Sequence, residues 1–366
     1  MRILLTTDTI GGVWTFTKDL CEGLLACGHE VALVSVGRLP YEGQAQWCKE
    51  TRLWAGRRFW YEAWATPLEW MEANDAAYRG AEAALLRVAK HFRADVIHAN
   101  QFCFGALPTD LPKVVTAHSD VLSWASACRP RGLGESAWLR RYCGLVADGL
   151  RGANAIVAPT QWMAGALARG FSAASNVRVV LNGRTIPCPP IPKMDRLLQA
   201  VSIGRGWDEA KGFAVLEGLD AAMPVVIAGE TTLEGPGGAG ALSEEQVLAL
   251  FRRSSVYVAA SVYEPFGLAP LEAALCGCAV VANDIGSLRE VWGEAAIYFS
   301  GARQLKRSLD RLVETPSELR CAQLQARRRA LEMTAERMVE GYLEIYRELL
   351  DGRERGLSAE TAAYAG

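Results

Sequence analysis

Short apolar runs bounded by turn residues recur along this chain, and between them the apolar residues fall at helical spacing. In the first half the runs are residues 2–6, 31–36, 95–98, 114–117, 156–159 and 177–181. A strand that is apolar at nearly every position is buried on both faces, which happens when strands are parallel and crossover helices cover each side of the sheet. Between the first two runs, Trp14, Phe16, Leu20, Leu24 and Leu25 line one side of a helix, and Gly28 stands where a helix end takes a left-handed residue. The chain therefore opens as a βαβ unit. Residues 186–192, IPCPPIP, interrupt the alternation, because proline lacks the backbone donor that a helix interior or central strand requires. The pattern then resumes with runs at 200–203, 225–228, 256–260, 279–282 and 296–299, separated by helix-like stretches such as 213–222 and 268–275.

The expectation is two open α/β domains, 1–185 and 197–333, joined by a linker at 186–196. A chain of 366 residues, half of them hydrophobic, can bury two cores of that size. Met338, Tyr342, Ile345, Tyr346 and Leu349 mark a closing helix over 334–350 that Thr334 can cap, and residues 351–366 read as a flexible polar tail. Opposing totals of 39 Lys+Arg and 41 Asp+Glu leave a net charge of -2, so no overall field favours nucleic acid or an anionic membrane. No run is long and apolar enough for a transmembrane helix, and the opening MRILLTTDTIGG lacks a signal-peptide pattern, so the expected location is the cytoplasm. The ten cysteines have no paired metal-ligand spacing; Cys276 and Cys278 read as small packing residues.

In sheets of this kind ligands bind beyond the carboxyl ends of the strands, so the cleft between the domains is the expected site. Three segments fall there. Residues 263–277, YEPFGLAPLEAALCG, hold Glu264 and Glu272 with seven residues between them, and a Pro-Phe-Gly turn leads into a helix at Leu268. The amides of Phe266, Gly267 and Leu268 suit sugar hydroxyls or phosphate oxygens, and a carboxylate can accept from both hydroxyls of a ribose. The plainer alternative makes Glu264 a surface loop residue and Glu272 a partner of the helix dipole. Residues 204–212, GRGWDEAKG, put Arg205 and Lys211 on a glycine-rich loop after a strand, which suits a diphosphate; alternatively Lys211 pairs with Asp208 or Glu209. Gly11 and Gly12 end the first strand and open the first helix, without the G-x-G-x-x-G of a dinucleotide fold, so no nicotinamide or flavin cofactor is expected.

These segments, together with His118 at the end of VVTAHS, resemble the retaining GT-B glycosyltransferases of the family-four type, with matching order and spacing from Met1 to about Leu350. The resemblance implies two Rossmann-like domains facing across a cleft, acceptor on the first and nucleotide sugar on the second, with no cofactor and no metal. Arg205 and Lys211 would then bind the donor diphosphate and stabilise the leaving group. Glu272 would hold the ribose. Glu264 and the amides of Phe266, Gly267 and Leu268 would hold the donor sugar, Gly11 and Gly12 would reach the phosphate side from the first domain, and His118 would lie near sugar and acceptor. The acceptor stays unidentified, since such enzymes serve polysaccharide, glycolipid and glycoside synthesis; a lipid-linked acceptor or an oligosaccharide is a candidate, with peripheral membrane contact in the former case. One departure stands out: only a glycine-rich stretch, 229–240, occupies the place where such enzymes carry a further helix and strand.

The segment 47–78 is dense in aromatic residues (Trp47, Trp54, Trp60, Tyr61, Trp64, Trp70, Tyr78) and reads either as an acceptor wall or as a hydrophobic helix and loop packed on the first sheet. Arg57, Arg58, Arg129, Arg131, Arg140 and Arg141 read either as a basic face for a lipid-linked acceptor or as solvated surface charge. His29, His91 and His98 read as structural. Two other functions fit the same donor pocket: a nucleotide-sugar epimerase, which needs acid and base carboxylates flanking the sugar, and a non-catalytic nucleotide-sugar-binding protein.

Overall fold

The computed structural model describes residues 1–71, 75–172, 174, 176–186, 196–229 and 242–364, with side chains through 353. Most of the expected linker and nearly all of the glycine-rich stretch lie outside the described residues. The first sheet comprises β1 (Arg2–Asp8), β2 (Glu30–Val36), β3 (Phe59–Ala63), β4 (Val96–Ala99), β5 (Lys113–Thr116), β6 (Ala155–Ala158) and β7 (Arg178–Val179). Its spatial order is β3-β2-β1-β4-β5-β6-β7, and every pairing is parallel. The second holds β8 (Leu197–Ile203), β9 (Val225–Ala228), β10 (Ser254–Ala259), β11 (Ala279–Asn283) and β12 (Ile297–Phe299), all parallel, in the order β12-β11-β10-β8-β9.

Each sheet carries an apolar core on both faces, as the unbroken apolar strands require. One face of the first is covered by the helix Gly12–Ala26 and by the closing helix Ala335–Tyr364, which inserts Met338, Tyr342 and Tyr346 there. Buried hydrogen bonds lock that contact: His98 Nδ1 meets Tyr346 Oη at 2.6 Å, His98 Nε2 meets Thr116 Oγ1 at 2.7 Å, and Thr116 Oγ1 meets Tyr342 Oη at 3.0 Å. Thr334 caps the closing helix by accepting from Arg337 N at 3.3 Å. At the end of the first helix, Gly28 takes φ +84°, and the amides of Gly28 and His29 return to Leu25 and Leu24.

Three expectations are corrected. Strand β3 lies in the aromatic segment, for which the packed alternative is a helix and loop with no strand; its alternation (Phe59 inward, Trp60 exposed) suits an edge strand. The stretch 213–222 makes only a 3-10 turn, Phe213–Val215, because Gly218 adopts φ +63° and closes the chain into a bend. The closing helix runs on past the expected 350 to Tyr364, since residues from Asp351 onward include strong helix formers.

Between the sheets the outgoing chain at 183–184 passes the returning chain at 333–335. Arg184 N donates to Met333 O at 3.1 Å, and a Cβ on Gly183 would sit 1.9 Å from Thr334 O. That distance cannot be accommodated without moving main chain. A Gly183→Ala variant should lose about 1–3 kcal/mol of stability, read as a lower midpoint in thermal or urea unfolding; an unchanged midpoint would show that the crossing is looser than described.

Candidate functional site

Both sheets reverse their winding direction once, between β1 and β4 in the first and between β8 and β10 in the second. The connections diverge at such a point and leave a crevice at the strand ends. The loop after β1 holds Gly11 and Gly12; Asn100 follows β4 and His118 lies just beyond β5. The loops after β8 and β10 hold Arg205, Lys211 and Glu264. The two crevices face one another: a Cβ on Gly11 would lie 3.5 Å from Arg205 Nη1, and one on Gly12 would lie 3.5 Å from Leu268 Cδ1. Gly11 adopts φ +66°, which a side chain would strain, so the loop can bring bare backbone up to a ligand.

On the second domain, Lys211 Nζ donates to Glu264 Oε2 at 2.8 Å, and Ser261 Oγ donates to the same oxygen at 3.1 Å. Ser287 Oγ donates to the Glu264 main-chain carbonyl at 2.6 Å. The carboxylate is therefore held by two donors and its main chain by a third at the edge of the crevice, partly buried with the lysine. Neither Asp208 nor Glu209 takes Lys211. Asp208 accepts from Arg205 Nη2 at 2.7 Å, and Glu209 pairs with Arg129 of the first domain at 3.0 Å. Gly212 must be glycine, since at φ +63° its Cβ would stand 2.3 Å from Ala260 O. Gly267, at φ +92°, precedes the helix Leu268–Leu275 and leaves its first amides open, while the Phe266 ring is buried in the core.

Glu272 has an unexpected neighbour. Its Oε1 lies 3.0 Å from Nε of Arg184, a residue whose side chain is only 3% exposed. The same guanidinium donates from Nη1 to both oxygens of Asp19, at 2.9 and 2.8 Å, and from Nη2 to Glu244 at 2.8 Å. Lys18 completes the group by donating to Glu244 at 2.9 Å. Burial pushes the Glu272 carboxyl up to about 7, only partly opposed by Arg184, and pushes Asp19 up to about 6. Asp8 is a second residue that the sequence reading passed over. It ends β1, accepts from Ile10 N at 2.8 Å, and is raised by burial to about 6 despite the attraction of Arg205. A carboxylate at a strand end beside the glycine pair was the available signal for Asp8; Arg184 offered none, because its partners are distant in sequence.

His118 Nε2 lies 2.8 Å from Asn100 Oδ1. Asn100 Nδ2 is already donating to Thr6 O and to Thr17 Oγ1, so its oxygen must be the acceptor and His118 carries its proton on Nε2. Burial lowers the His118 pKa to about 3, so the ring is neutral at physiological pH with a free lone pair on Nδ1. His98 has both nitrogens engaged in the core. His29 meets the chain's amino group and His91 lies edge-on to Trp60, so these three are packing residues.

The aromatic segment forms no single wall. Trp47 packs on Trp14 and Phe59 and donates to Glu22. Trp60 and Trp64 both donate to Glu62 on the outer edge of the first sheet. Tyr78 is buried, and Trp54 and Trp70 are half-exposed. Of the arginines read as a basic face, Arg58 donates to Leu25 O and Arg141 to Met71 O within the first domain, and Arg129 pairs with Glu209 of the second.

Comparison with known proteins places this geometry. Residues 10–185 match the model of Glycosyltransferase Family 4, and residues 239–329 match that of Glycosyl transferases group 1. The serotype-specific mannosyltransferase WbdA of Escherichia coli is 34% identical over 74 residues, covering 20% of this chain and 9% of that one. This chain thus aligns with under a tenth of the relative's length. Sucrose-phosphate synthase from Thermosynechococcus elongatus superimposes with a TM-score of 0.73 at 16% identity, covering 96% of this chain and all of the other. Anabaena HepE, in a complex with UDP-glucose, gives 0.68 at 17% identity, covering 94% of this chain and 99% of that one. The architecture is that of GT-B.

The histidine assignment can be tested without any ligand. In a nitrogen-correlated NMR spectrum, the ring that disappears in His118→Asn should show the Nε2–H tautomer and should not titrate between pH 5 and 8. A midpoint near the ordinary value of about 6.5 would contradict its burial.

Proposed function

Since this chain belongs to the group 1 glycosyltransferases of GT-B fold, we propose that it moves a hexosyl unit from a nucleoside diphosphate sugar to a hydroxyl acceptor, with retention and without a metal ion. The observation that carries this reading is the convergence of Arg205, Lys211, Glu264 and the Gly11–Gly12 loop where both sheets reverse their winding. In this reading Arg205 and Lys211 take the diphosphate and stabilise the charge that grows as it leaves, the task a divalent cation performs elsewhere. The amides of Gly11 and Gly12 approach the phosphates from the first domain. Glu272 accepts from the ribose hydroxyls. Glu264, with the amides of Phe266, Gly267 and Leu268, holds the sugar and favours positive charge at its anomeric carbon. Anabaena HepE binds UDP-glucose on the same fold, which makes uridine the first base to try.

Lys211 and Glu264 neutralise one another before the donor arrives. A diphosphate offers Lys211 a stronger partner and frees Glu264 for sugar hydroxyls, so one binding event arms both residues. A neutral His118 fits a scheme in which the acceptor proton passes to the departing phosphate, and its Nδ1 lone pair can accept from a sugar or acceptor hydroxyl. We assign the acceptor to the first domain, as a lipid-linked or oligosaccharide hydroxyl. No helix among the described residues is long and apolar enough to cross a membrane. A cytoplasmic enzyme, touching the membrane only if its acceptor is a lipid, is part of the same reading.

The test is release of nucleoside diphosphate from a panel of nucleotide sugars, first without acceptor and then with candidate acceptors. One donor should be consumed, and Lys211→Ala and Glu264→Ala should each lose about 100-fold or more in kcat. Consumption by the variants at the wild-type rate would displace the chemistry from this cleft.

The raised pKa of Glu272 sets the pH dependence. Only the ionised carboxylate can accept from two hydroxyls, so the donor KM should climb as pH falls through about 7. Glu272→Gln should bind donor more weakly and flatten that limb; an unchanged limb in the variant would assign it to another group.

A further inference from the structure

The ion cluster around Arg184 joins side chains from both domains and from the chain segment between them. Asp19 and Lys18 come from the first helix of the first domain, Glu244 from the helix Glu244–Arg253, and Glu272 from the helix Leu268–Leu275 of the second. Arg184 stands on the chain segment that passes from one domain to the other, one residue after a glycine that has no room for a side chain. Its main chain is fixed to Met333 on the returning segment. A guanidinium delivers donors in a planar fork, and this one spends Nη1 on the first domain while Nη2 and Nε face the second.

Glu272 is held on one side only. Arg184 lies against Oε1, and among the described residues no group donates to Oε2, which leaves that oxygen for a ligand. The arrangement also limits where the carboxylate can go. To leave its position it must abandon a buried cation, and that cation is itself clamped by both oxygens of Asp19.

Resting on the nucleotide-sugar reading above, we propose that Arg184 is a positioning residue of the donor site. It orients the ribose-binding carboxylate of Glu272 and ties that orientation to Asp19 of the opposite domain, so the nucleotide site is complete only when the second domain is seated on the first helix. Binding of the nucleoside diphosphate then draws on the seating of the domains, and a residue on the far domain controls ribose binding through the arginine. The charged groups facing Arg184 are Asp19 and Lys18 with the neighbouring Glu22 on the first helix, Glu244, and Glu272. They comprise a net excess of carboxylates, so removal of the single arginine leaves unpaired buried charge and is a poor probe by itself.

Asp19→Asn is the informative change. It keeps the Arg184 contact to Glu272 but removes the charge and one of the two acceptor oxygens from the Asp19 side of the link, leaving the other contacts between the domains in place. Titration calorimetry with UDP, and with ADP and GDP in parallel, should show the affinity of this variant weakened by roughly tenfold, in the range of ordinary site-to-site coupling. Turnover at saturating donor should stay within about twofold. The variant Asp19→Asn with Arg184→Met removes both members of the pair that spans the domains; Glu272 then lacks its cation and Glu244 keeps only Lys18, so its affinity is read together with its melting curve. It should bind at least as weakly as the single variant while melting as one cooperative transition. Arg184→Lys, one point charge in place of the fork, should fall between. Wild-type affinity in a folded Asp19→Asn and in the double variant would overturn the proposal. If the wild type itself binds none of the three nucleotides, the nucleotide reading fails first and the proposal fails with it.

Discussion

The outgoing and returning chain segments cross between the two sheets, at Gly183 and Thr334, with no space for a side chain between them. Beside that crossing an almost fully buried arginine must find partners for a charge that water cannot reach, and it finds them on both domains. The rest of the molecule is arranged around these two facts. The closing helix can return to the first sheet only by way of the crossing, where Thr334 caps it. It then contributes Tyr342 and Tyr346 to the core beneath β4 and β5, the strands whose loops carry Asn100 and His118. Further contacts hold the same seating: Tyr263 bonds to Ser119 and Ser123, and Glu290 accepts from the amides of Gln161 and Trp162.

Two ion pairs at the cleft differ in kind. Lys211 and Glu264 are each about one-fifth exposed, and each can exchange the other for a ligand group. Arg184 and Glu272 are buried among further charges, where separation leaves an unpaired ion in a poorly solvated place. The first pair suits groups that change partners during a reaction, the second a carboxylate whose position must not change. The Glu272 carboxyl near 7 and the Asp8 carboxyl near 6 follow from burial that their cations only partly offset.

The fold was legible because parallel sheets bury both faces of their strands. Eleven of the strands coincide with apolar runs, and the one that was missed, β3, is the half-exposed edge strand whose aromatic residues mask its alternation. The bend at 213–222 was hidden because a left-handed glycine stops a helix that composition alone permits. Around the cleft, the loops carrying Gly11, Gly12, Arg205, Lys211, Glu264 and Gly267 could be placed at strand ends from turn residues and spacing. Their partners could not. Arg184 lies 165 residues from Asp19 and 60 from Glu244, and the pairing follows from a chain crossing that local sequence does not encode. Tyr346 and His98, 248 residues apart, illustrate the same limit.

The central claim is that the crevice between β8 and β10 receives a nucleoside diphosphate across from the Gly11–Gly12 loop. A crystal structure of the protein with the diphosphate of its preferred donor tests this most directly. The account predicts the two phosphates within hydrogen-bond distance of Arg205 and Lys211, the Lys211–Glu264 pair opened, and the ribose on the second oxygen of Glu272 with Arg184 still against the first. A nucleotide bound elsewhere, or bound in this cleft with Lys211 still on Glu264 and the ribose away from Glu272, would contradict it.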